Sequence, residues 1–212
     1  MSFVRDLHFI LYPILALLAW LVARHQREHR PLALFVSWMV AADWVRVVLN
    51  GVRADEPRPL VGIARVAYHL DQLVVLSWSF AFMAVALRYF TKRPPAFALV
   101  GLAVTWLITL NYPLVSGEFL LWILRLAGIC ATVVAWTCIL AAIFRRRDLQ
   151  PTLAHLVVIL YSVTDFVLYL VPWMGDVGRT WPIVNLISVV QLTVFCAAHG
   201  FWLAWRRRLA SA

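Results

Sequence analysis

The residues able to do chemistry in this chain are polar side chains set inside long apolar stretches. Asp43, Arg46 and Asn50 fall three and four positions apart, as do Arg65, His69 and Gln72, with Ser79 seven positions beyond. The same spacing links Glu118, Trp122 and Arg125, then His155, Ser162, Asp165 and Tyr169, and Asn185 with Ser188 ahead of His199. Positions three, four and seven apart share one face of a helix. An ionisable group in an apolar segment is expensive in lipid and normally points into a bundle interior or a water-filled cavity. Asp43, Arg46, His69, Asp71, Gln72, Arg125, Asp165 and Gln191 are therefore expected to line a path or pocket for a small solute or ion. Carboxylates and imidazoles at that depth also relay protons.

Each group has a structural use as well. Asp43 and Arg46 can neutralise one another, and Arg125 with Asp165 or Asp71 can clasp two helices, because pairing lowers the cost of burying either charge. His69 and Asp71 stand two apart and point in different directions on a helix, so they are not expected to share a metal, and no metal site is predicted. His155 and His199 lie toward one end of their segments and read as interfacial or capping residues rather than haem ligands. No G-x-S-x-G, H-E-x-x-H or Gly-rich phosphate loop is present, so no catalytic residue is assigned.

The elements that must position these groups follow from composition. Of 212 residues 64% are hydrophobic and only 14% charged, and mean hydropathy is +0.84. A soluble domain of this length needs more polar surface than that. A helix crosses about 30 Å of hydrocarbon with roughly 20 apolar residues. Seven such segments occur: Leu7 to Ala23, Leu32 to Asn50, Val61 to Phe90, Ala96 to Tyr112, Phe119 to Phe144, Thr152 to Trp173 and Ile183 to Trp205. The third is long and is expected to begin with a short surface piece. Pro31, Pro95, Pro151 and Pro182 mark segment starts, where a missing N–H costs nothing. Pro13 falls inside the first segment, where it should give a tolerated kink or leave carbonyls free for another partner.

The fold class expected is thus an all-α integral membrane protein, a seven-helix bundle. Twelve of the nineteen Lys and Arg follow segments one, three, five and seven, as with Arg24, Arg27, Arg30 and Arg206 to Arg208. Cytoplasmic loops carry such an excess, which puts the N-terminus outside and the C-terminus in the cytoplasm. The net charge of +9 then belongs to the cytoplasmic face, against anionic lipid, and calls for no nucleic acid. The N-terminus lacks a basic leader region and an A-x-A site before Arg24, so segment one is expected to be retained in the cytoplasmic (plasma) membrane. Cys130, Cys138 and Cys196 are isolated and read as packing residues.

The single transmembrane domain carries a weak internal repeat. Residues 1–93 resemble 118–208, with segment four, 96–112, as connector: Val40-Ala-Ala-Asp43 matches Ser162-Val-Thr-Asp165, and Gln72-Leu-Val-Val matches Gln191-Leu-Thr-Val. A three-plus-one-plus-three parallel duplication places a site between its halves. Microbial rhodopsins and the small SWEET-type sugar transporters are similar in this layout alone. The one lysine, Lys92, lies in a loop, which excludes covalent retinal and leaves any cofactor unknown, and the sugar transporters' Pro-Gln pair is absent. Three functions are compatible. A transporter or channel for a small polar or charged solute, with proton coupling open to it, explains polar faces on five helices. A non-catalytic receptor or complex subunit would need a partner protein, and a homo-oligomer suits so apolar a surface. A metal-dependent lipid-modifying enzyme ranks last.

Overall fold

The computed structural model describes residues 2–53, 62–91, 96–110, 117–145, 152–170 and 177–211. Among them every element is helical: α1 Ser2–His25, a 3-10 turn Arg27–His29, α2 Arg30–Arg53, α3 Gly62–Ala86, a π-helical turn Leu87–Thr91, α4 Ala96–Leu110, α5 Gly117–Arg145, α6 Leu153–Leu170 and α7 Val177–Ser211. Four stretches are long and apolar enough to cross a membrane: Arg27–Val52, Gly62–Thr91, Leu126–Phe144 and Asn185–Ala210. Phe9–His25, Ala96–Leu107 and Leu153–Val163 are shorter apolar helices.

The exposed faces explain why lipid is the right solvent. On α7, Ile183, Leu186, Val190, Val194, Phe201 and Trp205 form one exposed stripe, while Leu192, Phe195 and His199 form the buried one. Apolar residues on both faces of a helix, one packed and one bare, are what a bilayer requires and water penalises. Hydroxyls within the helices donate to their own backbone, as with Ser77 to Val74, Thr105 to Gly101 and Ser162 to Ile159, and Ser162 is fully buried.

The chain packs as two compact units. The first comprises residues 1–40 and 146–212, the second residues 41–145.

In the first unit α7 packs along α1 and against α6. α1 and the start of α2 approach closely through Ala19, Ala23 and Ala33, all buried. Small residues let backbones near one another where lipid provides no hydrophobic drive between helices. Trp20 Nε1 donates to Ser37 Oγ at 2.9 Å across the same contact. Ala19→Leu is expected to lower thermal stability in detergent by about 2 kcal/mol through overpacking, whereas Leu17→Ala, on an exposed position of the same helix, should leave the melting curve nearly unchanged. α1 runs through Pro13 as one helix and carries that ring on its exposed side. The structure therefore tolerates this proline inside a continuous element.

In the second unit α3 is central, flanked by α4, α5 and the π-turn. Leu76, Phe80, Met83 and Leu87 from the α3 side meet Ala98 and Ala131, with Trp106 and Cys138 packed at the margin. α3 begins at Gly62, whose φ of +56° is the left-handed conformation that favours glycine. The three cysteines are free thiols.

Candidate functional site

α2 and α3 bring together two of the predicted residues. Arg46 Nε donates to Asp71 Oδ1 at 2.9 Å, with the carboxylate side chain 5% exposed and the guanidinium side chain 31% exposed. Arg46 stands three positions after Asp43, yet it reaches across to α3 for this bond. Its guanidinium carbon also lies 4.9 Å above the Trp78 ring. Trp78 is two helical turns beyond Asp71 on α3, so carboxylate and ring share one face and hold the cation between them. The Nε–H is used in this bond and leaves the guanidinium a planar fork of further donors.

α3 also carries polar atoms without a protein partner. His69 Nδ1 and Trp78 Nε1 are buried and without a hydrogen-bond partner. A buried orphan of this kind costs about 1–3 kcal/mol, so two of them within three turns of one helix are unlike ordinary core. Trp106 Nε1 reaches the His69 carbonyl at 3.4 Å from α4, and Tyr68 meets the His69 ring edge-on at 5.7 Å. Asp43 is half-buried on the same helix as Arg46. Asp43, Arg46, His69 and Asp71 all lie on α2 and α3 within the second unit, and of these Arg46 and Asp71 are in direct contact.

The other predicted residues stand differently. Arg125 lies on α5 and Asp165 on α6, while Gln72 is on α3; the side chains of all three lie outside the described residues. The clasps expected of Arg125 fall there too. Gln191 is on α7 in the first unit, with a buried Nε2 that has no partner. No cluster of three or more metal-ligating side chains occurs among the described residues. The first unit holds a narrow apolar crevice between Tyr12, Leu32, Phe35, Tyr161 and Leu192, and Tyr161 closes edge-on against Phe35 at 5.2 Å. That lining offers a solute no charge.

One polar junction escaped the sequence reading. His199 is fully buried and pairs with His29, Nε2 to Nε2 at 2.9 Å, rather than standing as an interfacial group. His155 does act at a helix start, with Nδ1 2.7 Å from Thr152 Oγ1. The residues of the pair are 170 apart in sequence, and His29 sits in a run of charged residues that reads as a solvated loop, so no spacing signal exposes the pair. Comparison with protein-family models, with curated proteins and with solved structures found no match.

Proposed function

We propose that the chain is a seven-span membrane protein, N-terminus outside and C-terminus cytoplasmic, that passes a small polar or charged solute through a polar cavity, with protons as the coupling ion. The reading rests above all on the Arg46–Asp71 pair between two apolar helices. A clasp that only fixed packing would bury both charges and satisfy its surroundings. Here the guanidinium is a third exposed, and unpartnered polar atoms of His69 and Trp78 accompany it along α3. Solute or water in transit is the natural partner for such groups in a medium that provides none. Asp43, half-buried on α2, is the carboxylate best suited to carry the coupling proton. The positive-inside count of the loops supports the orientation, and three shorter apolar helices accompany the four long ones among the described residues.

The test is proton and small-ion flux into liposomes containing the purified chain. Asp43→Asn and Asp71→Asn, with helicity and elution volume unchanged, are expected to cut flux more than about tenfold. Wild-type flux in both variants would reduce the cluster to a structural clasp. A folded wild type that conducts neither protons nor small ions would favour the ligand-binding receptor or complex subunit.

A further inference from the structure

His29 closes the turn Arg27–His29 and His199 lies on α7, both within the first unit, and their side chains are 1% and 0% exposed. The rings meet edge-on with centroids 4.9 Å apart and planes at 73°. Hydrogen-bond accounting places every ring proton. His199 Nδ1 is 2.7 Å from the Phe195 carbonyl, an acceptor only, so that nitrogen carries a proton and donates. Neutral His199 then presents a lone pair at Nε2, and His29 must donate its own Nε2–H across the 2.9 Å contact. This leaves His29 Nδ1 as a bare lone pair, and that atom is buried without a partner.

We propose that the His29–His199 pair is a binding site for one proton, and that filling it releases the Arg27–His29 turn from α7. The neutral pair holds two ring protons on four nitrogens. A third has one place to go, His29 Nδ1. Whether the charge stays on His29 or moves through the inter-ring bond to His199, Nδ1 bears the new N–H and the bond between the rings survives. A fourth proton would set two N–H groups head to head and break that bond, so an intact pair accepts one proton. The new N–H finds no acceptor in the packed state. It is satisfied only if water enters or the His29 ring swings out, and either event parts the turn from α7.

The surroundings set the direction. α1 contributes Arg24 and His25, the turn Arg27 and Glu28, and α2 Arg30. α7 contributes Cys196, one turn before His199 with its thiol toward the Leu11 carbonyl, and Arg206 to Arg208 farther on. On α6 His155 is engaged by Thr152. Among these described groups Glu28 alone is acidic, so a cation on the pair is opposed by its neighbours and by burial. The junction is closed at neutral pH and opens on acidification. This inference stands on the first unit and is independent of the polar cluster on α2 and α3.

The experiment is NMR of the full chain, labelled with 15N-histidine, in lipid nanodiscs from about pH 8 to about pH 3, a range that runs well below ordinary histidine because burial and the neighbouring cations oppose the charge. His29→Gln and His199→Gln assign the signals. At the upper end His199 should be the Nδ1–H tautomer and His29 the Nε2–H tautomer. On acidification His29 Nδ1 should gain its proton in a one-proton step. Exchange of the His29 amide, which donates to the Gln26 carbonyl, should rise in the same step beyond its intrinsic rate. His199 in the Nε2–H form at neutral pH, a two-proton step, no protonation in this range, or protonation with unchanged amide exchange would each overturn the proposal.

Discussion

Arg46→Met is expected to destabilise the second unit by about 3 kcal/mol, the loss typical of removing one partner from a buried ion pair. Asp71 is almost wholly buried, at 5% exposure, and without the guanidinium its charge must stay uncompensated or be neutralised by a proton. Asp71→Leu should cost less, about 1–2 kcal/mol. Arg46 is a third exposed and rests on Trp78, so its long side chain can turn toward a polar boundary when the carboxylate is gone. The two single variants therefore differ in the order that their burial dictates. The double variant Arg46→Met/Asp71→Leu should recover most of the loss, because no charge is then left behind. Reversible unfolding in mixed micelles measures all four proteins. A double variant as unstable as the sum of the singles would mean that the pair is not energetically coupled.

Gly101→Val should cost about 3 kcal/mol, the upper end of what overpacking does to a formed core. A Cβ at Gly101 would lie 2.6 Å from Phe80 Cε1 and 3.3 Å from Cδ1. The ring cannot drift away cheaply, since Phe80 is 8% exposed and held among Leu76, Met83, Leu87 and Ala98. α4 therefore meets α3 at van der Waals distance only because position 101 lacks a side chain. Phe80→Ala alone should also be strongly destabilising, by about 3–5 kcal/mol, through the cavity it opens. Combined with Gly101→Val it should cost less than the two losses added, as the valine fills part of the space. The same unfolding assay decides it, and strict additivity would show that the α3–α4 contact does not pass through this pair.

Much of the secondary structure was legible from apolar segments alone. Leu32 to Asn50 was expected and α2 runs Arg30–Arg53; Phe119 to Phe144 was expected and α5 runs Gly117–Arg145. The agreement weakens where polarity and helicity part company. α7 continues through Arg206 to Arg208 to Ser211, because backbone hydrogen bonding does not stop where apolar side chains do. α3 runs as one helix from Gly62, with a π-turn at its far end that no apolar pattern announces.

Partner choice was much less legible. Asp43 is the nearest opposite charge to Arg46 along the helix, and spacing alone favours that pair. Asp43 does feel the charge of Arg46, but the guanidinium's bond goes to Asp71, twenty-five positions away, where a carboxylate and the Trp78 ring on one face of α3 can both meet it. His29 and His199 show the same limit more sharply, as nothing local marks two residues 170 apart.

What the sequence determined by itself was the solvent and the helices: a long apolar segment must satisfy its backbone internally, and that requirement is read from composition and length. Which polar atoms are paired, and which are buried without a partner, was decided by tertiary structure alone. Those outcomes depend on distances of a few ångströms between helices far apart in the chain, and hydrogen bonds and ion pairs form or fail on that scale.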